Sequence, residues 1–153
     1  MKRSLVALAA LFLALTVAAG AAPATAAPRD RVVSGQGVAQ PPGRSLPFEF
    51  EFEARGTPKQ ATGRVRFPSV LTPSLVGDVT CLAVEGNRAA ISGKLRQSTV
   101  NGRYFLIVVE GNGPAQTPPL DAILVRAAPD PIRCARALDE SVWPIDEGNI
   151  RVR

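Results

Sequence analysis

Carboxylates and one pair of cysteines are the side chains of this sequence that could do chemistry. Histidine is absent, which removes Ser-His-Asp hydrolysis and His-ligated zinc or haem. The one methionine is Met1, so a Met-rich binding surface is excluded too. A calcium site would have to be built from Asp78, Glu85, Glu110 and Asp121, which lie near strand ends, but there is no Asp-x-Asp-x-Asp-Gly run to organise them. A glycosidase needs only two carboxylates about 5–10 Å apart in a cleft. Glu49, Glu51 and Glu53 supply a regular acidic row, but it faces arginines and reads as a solvated strand face. Tyr104 and Trp143 are the only large amphipathic rings available to stack on a ligand. No glycine-rich loop leads from a strand into a helix, so nucleotide use is not expected.

The compartment explains the cysteines. Lys2 and Arg3 precede an apolar run over residues 5–19, and small residues follow to Ala24-Thr25-Ala26-Ala27-Pro28. That order is the one of a secretory signal peptide, and the run is shorter than the roughly 20 residues of a spanning helix. We expect cleavage after Ala26, giving a signal over residues 1–26 and one secreted domain over 27–153, with no membrane insertion after cleavage. Export to an oxidising compartment makes Cys81 and Cys134 a disulfide, since they are the only cysteines. A redox role would need a CxxC-like spacing. The chain-entropy arithmetic for so long a loop gives about 4 kcal/mol of stabilisation. The net charge of +5 falls by two with the signal, because Lys2 and Arg3 leave without an acid. The remaining basic residues are scattered among acids, which argues against a nucleic-acid partner.

Alternation dictates the elements that must position these groups. Glycine and proline are frequent (13 and 14) and unrepeated, the punctuation of a many-turned β domain. Val32, Val33 and Val38 surround Ser34-Gly35-Gln36-Gly37 in a first strand weakened by glycine. Phe48, Phe50 and Phe52 alternate with Glu49, Glu51 and Glu53, and Val65 and Phe67 alternate with Arg64 and Arg66. Folding these about residues 55–60 sets Glu51 against Arg64 and Phe50 against Val65, an ion-pair ladder on one face and aromatic core on the other. Gly86-Asn87 predicts a tight hairpin with Val84 opposite Ala89 and Leu82 opposite Ile91. Cys81 then falls on the opposite face, so the disulfide ties a covering segment across the sheet. Asn101-Gly102 predicts a second hairpin with Leu95 opposite Val108. Residues 104–109 are apolar on both parities, hence central and covered on both sides. Asp130-Pro131 supplies a helix start, with one or two turns over residues 132–138. The expected fold is all-β, an antiparallel up-and-down barrel of about eight strands with one short helical segment near Cys134. A two-sheet sandwich is the alternative.

The segment Gly77-Asp78-Val79-Thr80-Cys81-Leu82-Ala83-Val84-Glu85-Gly86-Asn87-Arg88-Ala89 resembles the G-x-V-T-C-L-x-V-x-G-N-x-A core of small exported bacterial β domains of unknown function. Val33-Ser34-Gly35-Gln36-Gly37, Phe48-Glu49-Phe50 and Gly148-Asn149-Ile150 extend the likeness over most of residues 32–153. Where those domains carry an Asp-Asn-Gly turn, this chain reads Glu110-Gly111-Asn112-Gly113. The resemblance implies a fold and export, and it transfers no catalytic residue.

Taken together, the residues point to a non-catalytic exported binding or accessory domain without a cofactor, whose partner is a small ligand or an envelope or extracellular protein. Gln97, Thr99 and Tyr104 fall on the parity assigned inward and mark the barrel mouth as the place for a ligand. Two other readings stand beside it. One is a secreted protease inhibitor presenting Arg55-Gly56-Thr57-Pro58-Lys59 or residues 113–119. The other is a histidine-free carboxylate hydrolase.

Overall fold

The computed structural model describes residues 30–43, 45–68, 75–97, 102–113 and 120–153, with the backbone alone at Gln97. The signal segment, Thr99, Asn101 and most of the loop over 113–119 lie outside the described residues.

Nine strands form one antiparallel sheet: β1 (Arg31–Ala39), β2 (Phe48–Gly56), β3 (Ala61–Phe67), β4 (Leu75–Glu85), β5 (Arg88–Gln97), β6 (Tyr104–Glu110), β7 (Ala122–Ala128), β8 (Trp143–Pro144) and β9 (Glu147–Val152). Strands β1 to β8 follow one another as an up-and-down meander, and β9 pairs with the free edge of β1. The sheet is curled like part of a barrel, as the alternation predicts, with nine strands where about eight were expected. Its two outermost strands are consecutive in the chain, so residues 145 and 146 carry the polypeptide from one edge to the other. Ile145 N–H donates to the Asp121 carbonyl (2.9 Å) and Asp146 N–H to that of Val38 (2.9 Å), which anchors this crossing at both sides.

The interior is a single apolar layer. Val33, Phe50, Phe52, Val65, Leu82, Ile91, Phe105, Ile107, Val109, Ile123 and Ile150 are each at most 3% exposed, so side chains fill the space the sheet encloses. Phe50 stacks on Phe52 with ring centres 6.0 Å apart. The glycines of β1 seat these rings: Gly35 lies opposite Phe52 and Gly37 opposite Phe50. A Cβ at Gly35 would sit 2.5 Å from Phe52 Cζ, and one at Gly37 would collide with the Glu147 carbonyl oxygen of β9. They are therefore places of close approach, not defects in the strand. Gly37→Ala should destabilise the protein by about 1–3 kcal/mol through this overpacking, read as a lower urea midpoint. An unchanged midpoint would show that β9 does not press on β1.

The β2–β3 and β4–β5 hairpins keep their predicted faces, whereas an odd shift of register between β5 and β6 turns β6 over. Val84 faces Ala89 and Leu82 faces Ile91, as predicted. In the β2–β3 hairpin Glu51 faces Arg66, Glu53 faces Arg64 and Phe52 faces Val65, two residues from the predicted pairing. The loop contracts to residues 57–60, closed by backbone bonds from Thr57 N–H to Gln60 O (2.9 Å) and from Gln60 N–H to Thr57 O (3.3 Å). A shift by two preserves every face. Between β5 and β6 the predicted Leu95–Val108 pairing is not formed. Ile91 faces Ile107 and Lys94 faces Tyr104, because matching the apolar faces of both strands requires a longer connection than a two-residue turn.

A second, smaller apolar layer lies on the other face of the sheet. Ala83, Ala90, Leu106 and Val108 pack there against Cys134 and Ala137. This puts Phe105, Ile107 and Val109 in the main core and Leu106 and Val108 under the covering segment. The segment contains one 3-10 turn, Cys134–Arg136, in place of the predicted one or two helical turns. Asp130 does not cap it; Arg133 stands at the start with no side-chain cap. Tethering at Cys134 and at the Ile132 carbonyl holds the segment extended over the sheet.

Candidate binding surfaces

The crosslink is the best-defined feature. Cys81 and Cys134 form a disulfide with Cα atoms 6.0 Å apart, spanning 53 positions. Cys81 faces outward although Val79 and Gly77 face the core, and a bulge that leaves Thr80 unopposed makes this possible. Beside it in the sheet, Ser92 is 2% exposed and its Oγ donates to the Ile132 carbonyl (2.8 Å). The strap over residues 129–142 is thus held at two adjacent points, and at a third where Arg126 pairs with Glu140 through contacts of 3.1 and 2.7 Å. Ser92 lies in no motif, and nothing local in the sequence marks it. The disulfide also lies against the 57–60 loop, with Cys81 Sγ 3.3 Å from the Pro58 carbonyl oxygen.

The predicted barrel-mouth residues are placed differently. Tyr104 is half-buried opposite Lys94 and Ala128, on the face of Leu106. The inward position belongs to Phe105, whose ring covers Gly77 and Gly93 and fills the space where a ligand was expected. Gln97 is paired with Val76 through its backbone. Trp143 packs on the main core with its indole Nε1 buried and without a partner among the described residues.

The four acids considered for calcium are used separately. Asp78 pairs with Arg96, Glu110 with Arg88 (3.5 Å), and Glu85 is exposed at its turn. Asp121 is 6% exposed. Its Oδ1 accepts from Asn112 N–H (2.6 Å) and its Oδ2 from Ile150 N–H (2.6 Å). Asn112 in turn donates to Leu120 O (2.9 Å) and accepts from Asn87 Nδ2 (2.6 Å). This buried carboxylate ties the start of β7 and the segment after β6 to the middle of β9.

A hollow of about 1110 Å³ is polar and lies on the outer side of β9, β1, β2, β3 and β4. Its walls include Arg55, Arg64, Arg66 and Arg151 with Glu51, Glu53 and Asp78. The register alternates charge across the strands, Arg151–Ser34–Glu53–Arg64–Asp78–Lys94. The expected ladder is aligned but not closed: among the described residues the ion pairs are Arg88–Glu110, Arg96–Asp78 and Arg126–Glu140. The hydrogen bond from Arg96, helped by the charges of Arg96 and Arg64, holds the Asp78 carboxyl below its ordinary value. Its contribution to stability is therefore present above the usual carboxylate range and lost as pH falls through the lowered value. Because both partners are exposed, that contribution is small.

Compared with family profiles, curated proteins and solved structures, the chain matches none. No helix among the described residues is long and apolar enough to cross a membrane.

Proposed function

We propose that this chain is an exported, non-catalytic binding domain that recognises a macromolecular partner through the polar hollow on β9, β1, β2, β3 and β4. The carrying observation is the contrast between a core filled by side chains and a hollow whose arginines stay out of ion pairs. A filled core leaves no room for a small apolar cargo and moves recognition to the outside. Unpaired guanidinium groups beside carboxylates offer planar donors and acceptors in one patch, and arginine is enriched at protein interfaces. Export is supported by the amino-terminal pattern and by the disulfide.

A photo-crosslinking side chain at Arg64 should capture one discrete partner in producing cells. The additional change Arg66→Glu should reduce that product at least tenfold with the urea midpoint unchanged. Capture that is indifferent to Arg66→Glu, or a stoichiometric apolar ligand released on denaturation, would sink the reading.

The protease-inhibitor reading gains one observation, the disulfide lying beneath Pro58. It loses another, because the 57–60 loop is a closed turn and proteases take extended segments. Failure to inhibit trypsin-like and subtilisin-like enzymes at micromolar concentration would dismiss it.

A further inference from the structure

One sheet edge away from the polar hollow is only partly paired. Leu95 N–H donates to Arg103 O and Gly111 N–H to Asn87 O, both at 2.9 Å, so the odd-numbered residues of β6 face β5. Even-numbered residues of β6 then bond β7, and in β7 the odd-numbered residues point to the far edge. The bond from Ile145 N–H to Asp121 O agrees with this phase. Strand β8 covers only Ala122 and Ile123. The amide and carbonyl groups of Val125 and Ala127 therefore face outward, with no partner among the described residues. Uncovered edges of this kind accept a further strand.

What lies beside the edge gives the added strand its chemistry. A hollow of about 490 Å³ between β7 and the strap is lined by Arg126, Ala128, Asp130, Ile132, Arg133, Arg136 and Glu140, three arginines to two acids. Glu140 neutralises Arg126, whereas Arg133 and Arg136 are exposed and join no ion pair among the described residues. Side chains of an added strand alternate. Those opposite Arg126 would project toward the hollow, and those opposite Val125 and Ala127 would lie against the rim of the core, on which Val125 packs.

We propose that the Val125–Ala127 edge of β7 takes an extended acidic peptide of a partner protein as an additional strand, with its acids on Arg133 and Arg136 and its alternate small apolar residues on Val125 and Ala127.

The test is fluorescence anisotropy of the purified protein with a labelled Thr-Glu-Val-Glu-Val-Glu peptide. Three comparison peptides are used: one with Lys for Glu, and two N-methylated at alternate amides, one in each phase. Saturable binding in the micromolar range is expected, at least tenfold weaker for the lysine peptide and for whichever N-methylated phase blocks the bonding edge. Arg133→Glu combined with Arg136→Glu should weaken binding at least tenfold. Ala127→Pro should do the same, since it removes a donor that β6 does not use. Hydrogen exchange should slow at the Val125 and Ala127 amides on addition of the acidic peptide. Absence of binding at millimolar peptide would overturn the proposal. So would equal binding of both N-methylated peptides, equal binding of the lysine peptide, or binding without protection of those two amides. The arginine double variant and the N-methylated peptides keep the outcome decisive if Ala127→Pro does not fold.

Discussion

Asp121→Ala is expected to lower the unfolding free energy by about 2–5 kcal/mol, because one buried and one half-buried N–H group lose their acceptor together. The carboxylate receives Asn112 N–H and Ile150 N–H at 2.6 Å each, and the residue is nearly inaccessible to solvent. Water cannot replace it readily at Ile150, which is itself 2% exposed. The effect should be greatest where β9 meets the rest of the sheet, so hydrogen exchange at Ile150 should rise more than exchange at Ile107. Asp121→Asn retains one good acceptor but turns an NH₂ toward the other amide, and should fall between the two. A urea midpoint within experimental error of wild type for the alanine variant would show that another group satisfies these amides.

Removing the disulfide should cost about 2–5 kcal/mol, measured as a lower urea midpoint for the Cys81→Ser/Cys134→Ser variant. The constraint spans 53 positions and holds the strap over the second apolar layer. Without it, the Ser92–Ile132 bond, the Arg126–Glu140 pair and the bond from the Arg88 guanidinium to the Glu140 carbonyl (2.6 Å) are left to keep Leu106 and Val108 covered. Hydrogen exchange should therefore accelerate over residues 129–142 before it does so in β4 and β5. Uniform acceleration over the whole sheet would mean that the strap and the sheet unfold as one unit. An unchanged midpoint would show that the crosslink contributes no stability.

Much of the fold can be read from particular residues. The Phe-Glu alternation of residues 48–53 gives β2 its faces, because side chains in a strand must alternate and only one set can leave water. The run over residues 104–109 marks β6 as covered on both sides, since neither parity offers a polar set. The candidate surfaces are far less legible. The arginines of the polar hollow come from the β2–β3 hairpin and, far along the chain, from Arg151 of β9. A tight turn at Asn101-Gly102 would place Tyr104 inward, and the longer β5–β6 connection gives that place to Phe105.

Local pattern is enough to establish which residues alternate, where the chain turns at Gly86-Asn87, and that Cys81 lies opposite Leu82, because these depend on strand geometry and turn chemistry within a few residues. The bulge at Thr80 is different. Strict alternation from Leu82 would carry Thr80 and Asp78 into the core, and instead Val79 and Gly77 take those places. Likewise, nothing near Asp121 announces that its carboxylate will receive the amides of Asn112 and Ile150. Both outcomes follow from curling the sheet until β9 can reach β1 and the end of β7. That requirement involves all nine strands at once, so only the assembled fold could decide it.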